Sequence, residues 1–287
     1  MSSPATPNHF SAKHAVLAVL FFLSGIAALL YQVVWTKKLA LLFGVTTYAI
    51  STTLSVFMLG LALGAWYFGK TADRSQRPIR LYVMLELGIA LSAALSLILL
   101  QTLNSLIGSL GFSSAEGTGF LLFRVLASAA ILLIPTVLMG GTLPVLARIF
   151  IRSVDNAGFR LGLIYGVNTL GGVIGCLLAG FAIIPLLGLN GTLLVGVVIN
   201  TAVAILAYAA FAKTGMPGEE LAPELSAPAA PVDSAMQERA ARLARPMLFA
   251  FFMAGFLGLA TEVVWTRMLL LNVDATAQAF AGMLGVY

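Results

Sequence analysis

The chain has 287 residues, of which 60% are hydrophobic and only 9% are charged, and its formal net charge is +5. This composition excludes an ordinary water-soluble globular domain and predicts an all-α integral membrane protein in a lipid bilayer. Its one cysteine, Cys176, cannot form an internal disulfide. Because His9 and His14 are the only histidines, the sequence predicts neither a metal site nor a cofactor.

Seven apolar runs are long enough to cross a bilayer, because a core about 30 Å thick requires roughly 20 helical residues. In chain order, the predicted spans are 15–35, 47–69, 81–103, 120–139, 163–187, 192–211 and 247–271. The remaining stretch 275–287 is too short for a complete eighth span, so only part of an eighth span is predicted. Either the chain is a piece of a longer protein, which we favour, or this tail lies at the membrane interface.

The first predicted span is repeated near the end of the chain. Phe21-Phe22 and the Val-Val-Trp-Thr block at 33–36 return in the same frame as Phe251-Phe252 and 263–266. A linker rich in Pro, Ala, Glu and Ser precedes the second copy. Six spans, a linker and a restarted first span are typical of a parallel membrane repeat. The predicted units are a cytoplasmic tail at 1–14, a six-helix half at 15–212, a flexible cytoplasmic linker at 213–245, and the start of a second repeat at 246–287.

The positions of Lys and Arg in the predicted loops indicate an orientation, because these residues concentrate on the cytoplasmic side. The loops after the second, fourth and sixth spans are basic, whereas those at 104–118 and 188–191 contain no Lys or Arg. Lys37 and Lys38 are exceptions. We therefore expect a cytoplasmic N-terminus in a bacterial inner membrane. This topology accounts for the positive charge, so no nucleic-acid partner is predicted.

A basic segment follows the second predicted span. Residues 64–71 fit the written pattern of a phosphate-binding P-loop, but bulky aromatic residues at the end of a membrane helix argue against one. In another frame, Gly69 to Arg80 resembles the loop between the second and third helices of the major facilitator superfamily. Asp73, Arg74 and Arg77 are candidates for a gating contact between helical bundles. The alternative is that they are solvated loop charges.

Further motifs narrow the resemblance. Ser24-Gly25, the block 31–37, the segment 140–144 and the segment 165–171 are similar to the membrane region of fused major facilitator/spermidine synthase-like proteins. The family pattern in the first helix is Y-E-V-V-W-T-R. Gln32 and Lys37 depart from it in the first copy, whereas Glu262 and Arg267 match it in the second.

The resemblance implies a bundle like half of a major facilitator protein and a polyamine-related partner. In that family, an aminopropyltransferase-like Rossmann domain follows the membrane region. Residues 1–287 contain no alternating strands and helices of that kind, so this chain alone is not expected to transfer an aminopropyl group. Two functions are therefore open. The chain either anchors, and supplies substrate to, a soluble polyamine-related enzyme domain, or it is part of a secondary transporter of a small solute without enzymatic activity.

Three charged residues inside the predicted spans are candidates for binding a substrate or a proton, because intramembrane charges are costly unless they are paired or hydrated. They are Glu86, Arg124 and Glu262. Glu86 and Arg124 could also neutralise each other across adjacent helices, or lie at the interface. Glu262 could instead be a carboxyl group that is hydrogen-bonded to a neighbouring helix.

Small and polar residues predict how the helices pack. Glycines at four-residue spacing predict close helix contacts on the second and fifth spans; they are Gly60, Gly64, Gly162, Gly166, Gly171 and Gly175. Asn168, Thr169 and Asn200 are expected to form interhelical hydrogen bonds, and Trp35 and Trp265 to lie at the interface. Pro135, Pro144 and Pro185 should kink or end helices, and Pro144 with Gly140-Gly141 should break the fourth one.

Overall fold

The described part of the protein consists of long helices. A computed structural model describes residues 12–44, 46–109, 118–151, 157–211 and 234–272, together with residues 278, 281, 282 and 285. The helices are α1 (Ala12–Phe43), α2 (Thr46–Arg74), α3 (Pro78–Ser109), α4 (Thr118–Phe150), α5 (Ala157–Leu178), α6 (Ile184–Phe211) and α7 (Ser234–Asn272), with a π-helical turn at Ala179–Ile183. No strand occurs in these described ranges. The predicted all-helical class is confirmed for them.

Six helices in the described ranges are long and apolar enough to cross a membrane. These helices fit an integral, multi-pass membrane protein in a lipid bilayer. The predicted count of seven spans and part of an eighth is not matched, because the predicted spans 163–187 and 192–211 lie in one 55-residue helical run, Ala157–Phe211. Most of the predicted partial span at 275–287 lies outside the described residues.

The helical run Ala157–Phe211 reverses direction at Gly188. This glycine has a φ of 69° and a ψ of −179°, a conformation that favours a residue without a Cβ. Gly171 and Gly175 of α5 approach Phe22 and Ile26 of α1 in parallel order. In α6 the order is opposite, because Asn200 bonds to Tyr31 whereas the earlier Asn190 bonds to Lys38. The two legs therefore run antiparallel on the surface of α1.

α1 lies at the centre of the bundle and packs against α2, α5 and α6, while α3 packs against α4 and α6. Helices suit this setting because they satisfy every backbone polar group internally where water is absent. Fully buried apolar side chains of α1, including Leu17, Leu30 and Leu39, contribute to three core clusters along the helix. The centre of the bundle is thus built on the first copy of the repeat.

Glycines allow two of the helix pairs to approach closely. A Cβ on Gly60 or Gly64 of α2 would collide with Thr136 or Val137 of α4. A Cβ on Gly171 would collide with the carbonyl oxygen of Phe22. Gly175 meets Ile26 in the same way.

Gly162 and Gly166 show no such approach to the described residues, contrary to expectation. Nothing in the described structure lies within 4 Å of a Cβ built on either residue. Both are exposed on the first turns of α5, before α5 reaches α1. Four-residue spacing of small residues therefore indicated a helix contact at only one of the two pairs in this helix.

Two prolines leave α4 unbroken, so the predicted break at Gly140-Gly141 and Pro144 is wrong. The helix runs from Thr118 to Phe150 with Pro135 and Pro144 inside it. Its backbone is held against α2, because a Cβ on Gly140 or Gly141 would meet Leu61 or Phe68. Close packing of two helices thus overrides the tendency of proline to end one.

Pro185 does disturb its helix. A proline removes one N–H donor, and its ring clashes with the carbonyl four residues earlier. The π-helical turn Ala179–Ile183 ends just before Pro185, and the N–H of Ile184 donates to Ala179 O, five residues back. This wider turn accommodates the proline without ending the helix.

α7 differs from the other helices in its surroundings. It begins at Ser234, inside the predicted linker 213–245, whose residues before 234 lie outside the described ranges. Among the described helices it packs against α2, and large apolar side chains such as Phe251 and Trp265 are exposed. The second copy of the repeat therefore lies at the edge of the described bundle.

Candidate functional site

A carboxyl group lies inside the bundle, where α1, α3 and α6 meet. Glu86 of α3 is fully buried. Its Oε1 accepts a hydrogen bond of 2.7 Å from the Ser24 hydroxyl of α1, and its Oε2 accepts one of 2.5 Å from the Asn200 amide of α6. Three helices that are distant in sequence thus converge on one acidic side chain.

Two tyrosines extend this cluster. The Tyr31 hydroxyl donates to Asn200 Oδ1 at 2.8 Å, so Asn200 links Tyr31 to Glu86. The buried Tyr82 hydroxyl lies beside the Glu86 carboxyl group. Within the described residues, the Tyr82 hydroxyl forms no hydrogen bond of acceptable geometry. The carboxyl group therefore has two donors bonded to it and a third hydroxyl next to it.

Trp35 supports the cluster from inside the bundle, where its ring is not exposed as the ring of an interfacial anchor would be. Its ring is fully buried and stacks on Tyr31, with 5.5 Å between the ring centroids. Its Nε1–H donates to the Ser96 hydroxyl of α3 at 3.0 Å. A buried indole needs such an acceptor. Trp35 therefore holds Tyr31 in place and ties α1 to α3.

Helical periodicity explains how one sequence presents these groups. Tyr82 and Glu86 are four residues apart on α3, so they share a face. Ser24 and Tyr31 are two turns apart on α1, so they also share a face. The residues between them on α1 are mainly apolar and pack in the core. The cluster named here the Glu86 site comprises Ser24, Tyr31, Tyr82, Glu86 and Asn200.

Glu86 and Arg124 are not brought together. α3 and α4 are antiparallel: Leu81 and Leu85 share a core cluster with Leu146, whereas Leu103 shares another with Val125. Glu86 and Arg124 lie near opposite ends of this helix pair, about 25 Å apart along the axis at 1.5 Å per residue. Arg124 is half-buried, and its guanidinium carbon lies 4.2 Å from the ring centroid of Phe120.

Glu262 lies at a second position, on α7. It is buried, with 5% of its surface exposed, and it is close enough to Cys176 of α5 to interact electrostatically. The next residue, Val263, packs on the core cluster that contains Cys176 and Leu54. Glu262 therefore lies on a different helix from the residues of the Glu86 site and belongs to the contact of α7 with the bundle.

The gating candidates lie at the end of α2 and in the turn that follows. Asp73, Arg74 and Arg77 are exposed, and in the described structure no ion pair joins Asp73 to either arginine. Arg74 and Arg77 line an open cavity beside the α2–α3 turn. The segment 64–71 is helical throughout, so its P-loop pattern forms no phosphate-binding loop.

The donor set of the Glu86 site suits a proton or an organic cation better than a metal ion. Only one of its five side chains is a carboxylate, and hydroxyl and amide groups complete it. Across the described residues, no group of three or more His, Cys, Asp or Glu side chains could hold a metal ion. A carboxyl group in this setting can bind or release a proton, or pair with an ammonium group.

Sequence reasoning identified Glu86 and the interhelical role of Asn200, but missed Ser24, Tyr31 and Tyr82 as partners. Asn200 does form hydrogen bonds across helices, as predicted. Thr169 instead donates to Tyr165 O within its own helix. A usable signal for the others was present, because hydroxyl groups in apolar spans need acceptors.

Comparisons with known proteins do not extend this description. No family model, no curated protein and no solved structure matches the chain.

Proposed function

We propose that this chain is a multi-pass membrane domain in which the Glu86 site binds a proton or a small amine cation. One observation carries the proposal: a fully buried carboxyl group, deep among apolar helices, is held by donors from two other helices. An ionisable residue in such a place is costly. A function that uses the charge of Glu86 would explain why an ionisable side chain occupies this position.

The surroundings of the carboxyl group favour a cationic ligand. A bound proton or ammonium group would neutralise the carboxylate, removing the cost of an isolated charge in apolar surroundings. Two aromatic residues belong to the same cluster, Tyr82 with its hydroxyl beside the carboxyl group and Tyr31 linked to it through Asn200, and aromatic side chains attract organic cations. Arg124, whose positive charge would compete with such a ligand, lies near the other end of the bundle.

The site is closed in this structure, because Tyr31, Tyr82 and Glu86 are all fully buried. Entry of a ligand requires α1 to separate from α3 or α6. The hydrogen bond from Ser24 to Glu86 crosses the first contact and the one from Tyr31 to Asn200 crosses the second, so binding at the carboxyl group and opening of the helices would be coupled.

The resemblance to the fused major facilitator/spermidine synthase-like proteins supports a polyamine-related ligand. On this proposal, the chain places an aminopropyltransferase-like enzyme domain at the bilayer and supplies it with an amine. The alternative is a transporter half without an enzyme. A site buried between helices fits the alternative equally.

The proposal is tested with the purified chain in proteoliposomes, using radiolabelled putrescine and spermidine as probes. We expect saturable binding that weakens on the order of tenfold to a hundredfold in Glu86→Gln, because a charge-assisted contact contributes about 1.5–3 kcal/mol. Tyr208→Phe, an exposed tyrosine on α6, is the matched control and should leave binding unchanged. Equal binding by wild type and Glu86→Gln, for both amines and for proton uptake, would contradict the proposal.

The same preparation separates the two functions. Accumulation of amine inside the vesicles, driven by a proton gradient, would support the transporter. Saturable binding without flux would support a domain that holds substrate for an enzyme.

A further inference from the structure

An open cavity at the end of the α2 and α3 helices has a composition unlike the rest of the bundle. Its volume is about 790 Å³. It is lined by four basic side chains, Lys70, Arg74, Arg77 and Arg80, and by no acidic residue of the described structure. Trp66, Leu81 and Met84 form an apolar part of the same wall. One part of the cavity wall is therefore cationic and the adjacent part is apolar.

The position of the cavity matches the boundary between a membrane and water. Arg74 is the last residue of α2, and Arg77 and Arg80 flank the first turn of α3, so the basic groups lie where two spanning helices end. Trp66 and Tyr67 lie two turns deeper and are exposed on the helix surface. Trp and Tyr at this depth are typical of the headgroup level.

The basic groups are arranged to attract an anion. Lys70 Nζ lies 4.0 Å from the ring centroid of Trp66, which holds one charge over the aromatic wall. The backbone N–H of Arg77 donates to the Ser75 hydroxyl, which shapes the turn between the helices. Four like charges around one cavity repel one another, and a bound anion relieves this repulsion.

We propose that this cavity binds the headgroup of an anionic phospholipid, with an acyl chain lying along Trp66 and Met84. A soluble anion could also supply the phosphate group. However, the apolar wall beside the basic groups suits a ligand that is charged at one end and apolar at the other. This inference is independent of the Glu86 site, which lies inside the bundle.

The test is native mass spectrometry of the purified chain, with phosphatidylglycerol or phosphatidylcholine of identical acyl chains added. Both lipids carry a phosphate, but only phosphatidylglycerol has a net negative charge. We expect a preference for phosphatidylglycerol. In Arg77→Gln/Arg80→Gln its affinity should fall on the order of twentyfold, since each basic group near a membrane surface contributes about fivefold.

Arg267→Gln on α7 removes an exposed positive charge outside the cavity and is the matched control. It should retain the preference. Equal binding of the two lipids, or an unchanged preference in Arg77→Gln/Arg80→Gln, would overturn the proposal. Inorganic phosphate is added in a separate arm, against chloride at equal ionic strength. Specific displacement of the lipid by phosphate would show that the ligand is a soluble anion.

Discussion

The two copies of the repeated block, in α1 and α7, have similar sequences but different surroundings. In the most apolar window of α1, 61% of residues are buried, against 6% in α7. Phe21 is buried in the core, whereas its counterpart Phe251 is 73% exposed. The same apolar pattern therefore forms the centre of the bundle in one place and an outer surface in the other. Hydrophobicity alone does not specify which neighbours a membrane helix has.

The copies are most alike in their local bonding. Thr36 donates to Gln32 O at 2.8 Å, and Thr266 donates to Glu262 O at 2.7 Å. They differ where a partner helix is needed, because Trp35 bonds to Ser96 of α3 while Trp265 is exposed. Both copies of the repeat therefore form a helix, but the packing of each copy against other helices determines what its side chains do.

The largest difference is expected at the equivalent glycines. A Cβ on Gly25 would collide with the carbonyl oxygen of Asn168, whereas nothing lies within 4 Å of one on Gly255. Gly25→Leu should therefore lower the free energy of unfolding by about 3 kcal/mol or more, because backbone cannot give way. Gly255→Leu should have little effect. Thermal unfolding in detergent measures both, and equal losses would remove the distinction between the copies.

A smaller difference is expected at the tryptophans. Trp35→Phe leaves a void in a packed core and removes the hydrogen bond to Ser96, so it should destabilise by about 2 kcal/mol. Trp265→Phe should change stability by less than about 0.5 kcal/mol, as exposed substitutions usually do. The measurement is unfolding of the two variants in the same detergent. A larger effect at Trp265 would contradict the assigned surroundings.

The smallest difference is expected at position 24 and its counterpart, 254. Ser24→Ala removes one donor from Glu86 and should cost about 1–2 kcal/mol, since hydrogen bonds to carboxylates exceed neutral ones. The reverse exchange in the second copy, Ala254→Ser, adds a hydroxyl at an exposed position and should not stabilise. Stabilisation by Ala254→Ser would indicate an acceptor near α7.

Much of the fold could be predicted from the sequence, because apolar runs of about 20 residues have few alternatives in a bilayer. The helix count differed from the prediction, because the legs that correspond to the predicted spans 163–187 and 192–211 are joined at Gly188 without an intervening loop. The continuity of α4 through Pro144 could not be predicted either, since it depends on packing against α2.

The Glu86 site could be predicted only in part. A buried acid in an apolar helix stands out in one sequence, and Glu86 was a candidate for that reason. Its partners come from α1 and α6, and no periodicity within a single helix indicates which helices meet. Pairing Glu86 with Arg124 followed from the adjacency of their helices, but adjacent antiparallel helices place their early residues at opposite ends. Trp35 was expected at the membrane interface because tryptophans favour it on average, whereas its ring is buried in the bundle.

We infer that the chain lies in lipid with α1 inside the bundle and α7 facing the bilayer. The most direct measurement uses two variants that keep a single tryptophan, Trp35 or Trp265, reconstituted in phosphatidylcholine with brominated acyl chains. This arrangement predicts strong fluorescence quenching of Trp265 and little quenching of Trp35. Equal quenching of the two tryptophans, or stronger quenching of Trp35, would contradict it.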